Sequence, residues 1–193
     1  MGGYAIGYDV FEGDIYEGHT LIPFMEKLSR KFGLNKPVVV ADAGLLTNAN
    51  IIALEAQNYE YIIGARVKNE STALKAKILE NQFSDGKTIS IKKSANTRLI
   101  INYSQARAKK DAHNRKRGLM RLEKQVKSGK LTKSSINNKG YNKYLKLNRE
   151  VIIEIDYDKY NQDQVWDGLK GYVTNTKLTD NDVIDVKFHK VVV

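Results

Sequence analysis

Three places in this 193-residue chain combine residue types and spacing that could do chemistry. The first is Pro37-Val-Val-Val-Ala-Asp-Ala-Gly44, where four apolar residues run into a lone carboxylate, Asp42. A short, wholly apolar run suits a strand buried on both faces, and open α/β sheets place their chemistry at the carboxyl ends of such strands. Asp42 fits two roles equally on residue chemistry alone: a cap or turn former, or a catalytic or metal-holding carboxylate. The second place is Glu12-Gly-Asp-Ile-Tyr-Glu-Gly18, a loop with three acids. Its spacing does not match a calcium loop, and a turn that puts negative charge at a helix start accounts for it better. The third is a basic block. From residue 103 to 149, fifteen Lys and Arg face two acids, Asp111 and Glu123, whereas the rest of the chain carries 17 bases and 20 acids. All of the net charge of +10 therefore resides in one segment. A solvated helix face would explain such a block; its segregation points to an anionic partner, nucleic acid first.

The elements that must position these residues read as follows. Residues 3–11 alternate, with Tyr4, Ile6, Tyr8 and Val10 on one face, and predict a strand. A helix is expected from Thr20 to Phe32, with Leu21, Met25, Leu28 and Phe32 on one stripe, Thr20 as N-cap and Gly33 as stop. The buried strand to Ala41 follows, then a helix capped by Thr47 and running to Gln57, then a strand from Tyr59 to Arg66. This alternation predicts an α/β core with parallel strands joined through a helix. Ser71–Asn81 predicts a short helix; Thr88–Lys93 and Thr97–Tyr103 predict a hairpin that reads as an antiparallel insertion outside the parallel sheet. Ser104 caps a long helix to about Lys127, thinly apolar and weakened by Gly118. Ser128–Tyr144 reads as a basic loop, in which Tyr141 and Tyr144 serve either packing or base stacking. Glu150–Asp156 is a strand, Trp166-Asp-Gly168 a turn and Gly171–Thr176 a strand. Thr179 opens a helix at Asp180, and residues 185–193 show no helical period.

Composition excludes several classes. There is no cysteine, hence no disulfide framework or thiolate metal site, and three scattered histidines do not make a histidine site. No basic-then-apolar leader opens the chain and no apolar stretch approaches a membrane span, so the expected location is cytoplasmic.

Residues 3–23, Val38-Val-Val-Ala-Asp-Ala-Gly44, Tyr59-Glu-Tyr-Ile-Ile-Gly-Ala-Arg66, Tyr103-Ser-Gln-Ala-Arg-Ala-Lys-Lys-Asp-Ala-His113 and Trp166-Asp-Gly-Leu-Lys-Gly-Tyr-Val-Thr-Asn-Thr176, in that order, resemble bacterial insertion-sequence transposases of the DDE type, in the insertion-sequence-4-like superfamily. The resemblance implies a ribonuclease-H-like mixed sheet with flanking helices plus a basic α+β insertion. The implied division is a partial catalytic core over 1–66, a basic insertion over 67–165, and a return to the core with an atypical tail over 166–193. It implies DNA cleavage and strand transfer assisted by Mg²⁺ (or Mn²⁺), a hard cation suited to carboxylates. By match Asp42 is the family's second aspartate, catalytic and metal-holding, followed here by Ala43 rather than the arginine of many members. The first aspartate and the final glutamate have no match, nor does the Tyr…Arg…Glu pattern expected after residue 176. The expectation is thus a piece truncated at both ends, inactive alone. Its partner is DNA at transposon ends, contacted through Arg107, Lys109, Lys110, Arg115, Lys116, Arg117 and Arg121, with homodimerisation left open. The competing expectation is a non-catalytic nucleic-acid-binding protein using residues 103–149.

Overall fold

The computed structural model describes residues 8–12, 19–45, 47–150 and 152–188. It separates into two compact units, one of Met1–Asn81, Gly86–Asn102 and Lys170–Val193, the other of Gln82–Asp85 and Tyr103–Leu169.

The first unit is built on a five-stranded mixed sheet. Its strands are β1 (Val39–Ala41), β2 (Tyr61–Ala65), β3 (Thr88–Lys92), β4 (Arg98–Tyr103) and β7 (Leu169–Thr174), in the order β1-β2-β7-β4-β3. β1 and β2 are parallel, as the αβ alternation requires, with Ala41 level with Ile63. β7 runs antiparallel to β2, and β3 antiparallel to β4. The hairpin expected to lie outside this sheet is instead its far edge. Leu99, Ile100 and Ile101 are fully buried in β4, so both of its faces need cover, which a detached hairpin would not give.

Alternation along the strands makes two apolar layers. Val40, Ile62, Ile100 and Tyr172 pack with Val183 and Ile184 of α6 (Asp180–Phe188). Their sequence neighbours Val39, Ala41, Tyr61, Ile63 and Val173 are also buried. Full burial of each such aliphatic side chain stabilises by roughly 1.5–3 kcal/mol. α1 (Leu21–Phe32) buries Leu21, Met25 and Leu28 and stops at Gly33, whose φ of +61° suits a residue without Cβ. Two details differ from expectation. Thr20 makes no side-chain cap bond, and Phe32 ends the stripe 41% exposed with Lys31 over its ring. α2 (Asn48–Ala56) starts at Thr47, whose Oγ1 accepts from Asn50 N at 3.1 Å. α3 (Thr72–Leu79) starts at Ser71 in the same way.

Thr174-Asn175-Thr176 extends the pairing of β7 beyond its backbone. Thr174 Oγ1 donates to Tyr61 O at 2.6 Å, Asn175 Nδ2 donates to Tyr59 O at 3.0 Å, and Tyr61 N donates to Asn175 Oδ1 at 2.8 Å. Arg98 then holds the run into α6, donating to the carbonyls of Thr176 and Leu178 and to Asp180. α6 continues to Phe188, past the point where the sequence pattern loses its helical period.

The second unit centres on α4 (Gln105–Lys127), 23 residues long, with a small sheet of β5 (Leu145–Leu147) and β6 (Ile153–Ile155) and the short α5 (Tyr157–Gln162). β5 and α5 were not expected, and the region read as a loop holds 3-10 turns at Lys133–Ser135 and Gly140–Tyr144. Leu122, Tyr144, Leu145 and Ile155 form its core. Of the strand expected over residues 3–11, residues 8–11 have no regular structure and the rest lies outside the described residues, as does most of the acidic loop. Among the described residues no helix is long and apolar enough to cross a membrane.

Candidate functional site

In the sheet unit, the fold brings Asp42 to the carboxyl edge of β1, exposed at its surface. The strand register sets Asp42 beside Gly64 of β2. A Cβ on Gly64 would lie 2.9 Å from Ala43 N and 3.5 Å from Asp42 C. Glycine there is what lets the chain leaving Asp42 bend closely over β2. Leu45 N donates to Asp42 O at 3.1 Å to close that bend, and the buried Asn50 braces it by donating from Nδ2 to Leu45 O at 3.0 Å. The cap of α2 is Thr47. Asp42 therefore contributes its backbone carbonyl to the turn, and the helix-capping role falls to another residue.

In the α4 unit, the two acids of the basic block are drawn away from the outer face. Asp111 Oδ2 accepts from Gly168 N at 3.1 Å, and Glu123 accepts from Tyr157 OH at 3.1 Å. Gly168 has φ +81° and could carry no Cβ, which would fall 2.6 Å from the Tyr103 ring. Gly118 is buried against Tyr141, whose hydroxyl donates to Asn114 O at 2.8 Å. Tyr144 is buried, donates to Asp163 at 2.6 Å and meets the Tyr160 ring edge-on. Both tyrosines serve packing. Burial first, and then the Asp163 carboxylate, hold the Tyr144 phenol well above its ordinary pKa.

These inward anchors fix which side of α4 faces outward. Lys109, Lys110, Lys116, Arg117, Arg121, Lys124 and Lys127 are exposed along it, as is Arg107 in its first turn. Among the described residues none of the eight makes an ion pair or a side-chain hydrogen bond. Some basic residues elsewhere are paired instead: Lys27, Lys93, Arg98, Lys143 and Lys146 each meet an acid. Arg115 departs from the expectation of DNA contact. It is turned inward and pairs with Asp167, their side chains only 11% and 16% exposed, and lies over the Tyr160 ring. Burial disfavours its charge, but the Asp167 carboxylate more than offsets this, so the guanidinium is held more firmly protonated than usual.

A family model described as a transposase DDE domain matches residues 1–185. The chain belongs to this family. Nothing among curated proteins and nothing among solved structures matches it. The DDE transposases work on DNA and generally use divalent metal ions, and the mixed sheet with its helices is compatible with their fold. Among the described residues no group of three or more His, Asp or Glu side chains could hold a metal ion.

Sequence reasoning noted Gly118 only as a weak spot in its helix, not its packing against Tyr141, and missed the role of Gly64 and the Arg115–Asp167 pair. A glycine in the middle of a strongly helical segment was the available signal for Gly118: such a glycine costs about 1 kcal/mol unless something needs the space.

Proposed function

We propose that this chain is part of the catalytic domain of a bacterial insertion-sequence transposase of the insertion-sequence-4-like superfamily, and that α4 is a face by which it holds DNA. The observation that carries this reading is the outer side of α4, with eight exposed cations, none of them paired among the described residues, and both of the helix's acids engaged elsewhere. Lys109 to Lys127 spans about 27 Å at 1.5 Å per residue, along which duplex DNA presents a phosphate charge about every 1.7 Å. Cations left unneutralised by the protein suit release of the DNA counterion atmosphere.

The proposed division is a catalytic part with a ribonuclease-H-like sheet carrying Asp42, and a basic insertion carrying α4. Asp42 stands at the strand edge where open α/β sheets put their chemistry, and its oxygen ligands suit Mg²⁺ or Mn²⁺. One carboxylate cannot fix two divalent ions, so the chain alone binds DNA without cutting it. A cytoplasmic location follows from the bacterial transposase reading.

The test uses the purified chain, a labelled DNA duplex and Mg²⁺. The expected result is salt-sensitive binding, unchanged by Asp42→Asn, with no nicking. Nicking that disappears in Asp42→Asn would contradict the inactivity, and absence of any DNA binding would contradict the function.

A further inference from the structure

Aspartate is followed by glycine twice in this chain, at Asp85-Gly86 and at Asp167-Gly168. Such a pair can react with itself, because glycine has no Cβ to shield its backbone nitrogen from the preceding side chain. Reaction needs a carboxyl that can turn, an N–H not committed to another acceptor, and room for both to move. Asp167-Gly168 has none of these. The Asp167 carboxylate is paired with Arg115 and its side chain is only 16% exposed. Gly168 N donates to Asp111 Oδ2 at 3.1 Å, and a Cβ on Gly168 would meet the Tyr103 ring at 2.6 Å and Ser104 O at 2.8 Å. Asp85-Gly86 is the opposite case. Both residues are exposed. Gly86 N makes no hydrogen bond among the described residues. Its φ is +78°, and no atom lies within 4 Å of where its Cβ would stand. Asp85 Oδ1 accepts from Gln105 N at 2.8 Å, at the surface. That bond satisfies one of the N–H groups at the start of α4 that have no partner inside the helix, next to the one that Ser104 takes from Arg107.

We infer that Asp85 is a site of spontaneous isomerisation to isoaspartate, and that this change releases the first turn of α4. Gly86 N attacks Asp85 Cγ. The new C–N bond closes a succinimide ring, and one water leaves, its oxygen from the carboxyl group and its protons from the amide and the carboxyl group. One water then adds back. Addition at the former side-chain carbonyl breaks the new bond and restores aspartate. Addition at the former main-chain carbonyl breaks the original peptide bond and leaves isoaspartate. The sum is an isomerisation that needs no oxidant or cofactor and leaves mass and charge unchanged. In the product the main chain runs through Cγ, longer by one methylene, and the carboxylate sits on Cα. Gln105 N thereby loses its carboxylate acceptor, and the start of the helix loses a charge-assisted bond.

The experiment ages the full chain in warm neutral buffer, beside Asp85→Glu, Gly86→Ala and the unmodified chain unfolded in urea. Isoaspartate is counted by methyl transfer from S-adenosylmethionine with an isoaspartyl methyltransferase, and is located by electron-transfer fragmentation of peptides. The Gln105 amide is followed by NMR. In the folded chain isoaspartate is expected to grow with time at Asp85 and not at Asp167, whereas in urea, where the burial and the pairing of Asp167 are gone, it is expected at both. Asp85→Glu keeps the carboxylate but must close a larger ring, and is expected to abolish the signal; Gly86→Ala is expected to reduce it. A second Gln105 amide resonance, exchanging faster with solvent, is expected to rise in step with isoaspartate. No isoaspartate at Asp85, or equal amounts at Asp85 and Asp167 in the folded chain, would overturn the site. Isoaspartate at Asp85 with unchanged exchange at Gln105 would overturn the release of α4.

Discussion

Gly118→Ala is the substitution for which the structure and helix propensity predict opposite signs. In an exposed helix, replacing glycine by alanine stabilises by about 1 kcal/mol. Here the new Cβ would overlap the Tyr141 ring carbons, well inside the roughly 3.5–4 Å of a carbon–carbon contact. The ring must leave. That breaks the 2.8 Å bond from Tyr141 OH to Asn114 O, worth about 0.5–1.5 kcal/mol, and undoes packing against the Leu122 core, for which displacing a large side chain costs about 1–3 kcal/mol. Net of the propensity gain, Gly118→Ala should destabilise by about 1–3 kcal/mol. In a Tyr141→Ala background the obstacle is absent, and the same substitution should stabilise by up to about 1 kcal/mol. Urea unfolding of the four proteins, read by far-UV circular dichroism, gives both numbers. A stabilising Gly118→Ala in the Tyr141-containing chain would refute the argument that this contact fixes which side of α4 faces outward.

The remaining predictions concern other contacts. Asp167→Ala strands the Arg115 cation in a site where its side chain is 11% exposed, and unfolding midpoints should show a loss of about 3–5 kcal/mol; Arg121→Ala, on the exposed side, should stay within about 0.5 kcal/mol. Gly64→Ala puts a methyl 2.9 Å from Ala43 N and should cost about 1–3 kcal/mol while shifting the NMR resonances of Asp42 and Ala43. Tyr61 and Tyr144 both have raised phenol pKa values, through burial first and then hydrogen bonds to Glu55 and Asp163. Because the folded-state values lie above the unfolded value near 10, their contribution is fully present below about pH 10 and is lost as pH rises above it. Urea midpoints should therefore fall in that alkaline range, and fall less in Tyr144→Phe; a midpoint flat above pH 10 would sink the idea.

Much of the sheet unit was legible from the sequence because its signals are local. Thr47 and Ser71 precede their helices, Gly33 ends one, and Val38 to Ala41 has too little polarity to be anything but a buried strand. The place of the β3–β4 hairpin was not legible, since β7, which joins it to β2, lies some seventy residues later in the chain. In the second unit the errors have two causes. Composition marked the block as basic but cannot sort cations by direction. Arg115 and Arg117 look alike in sequence, yet one pairs with Asp167 and the other faces solvent. Likewise Leu145–Leu147 is too short to announce itself as a strand without its partner Ile153–Ile155. Asp42 was legible as a residue at a strand edge, with a cap or turn role set against a catalytic one; that the cap belongs to Thr47 and the turn is braced by Asn50 only the fold brings to bear.

The claim that α4 holds the DNA backbone is tested most directly by the salt dependence of duplex binding. The measurement is the slope of log K against log salt for the unmodified chain and for a variant with Lys109, Lys110, Lys116, Arg117 and Arg121 all changed to alanine. Each phosphate contact contributes about 0.9 to the slope, so the account predicts a steep slope for the unmodified chain and one shallower by up to about 4.5 in the variant. Equal slopes for the two proteins, with both still folded, would contradict it.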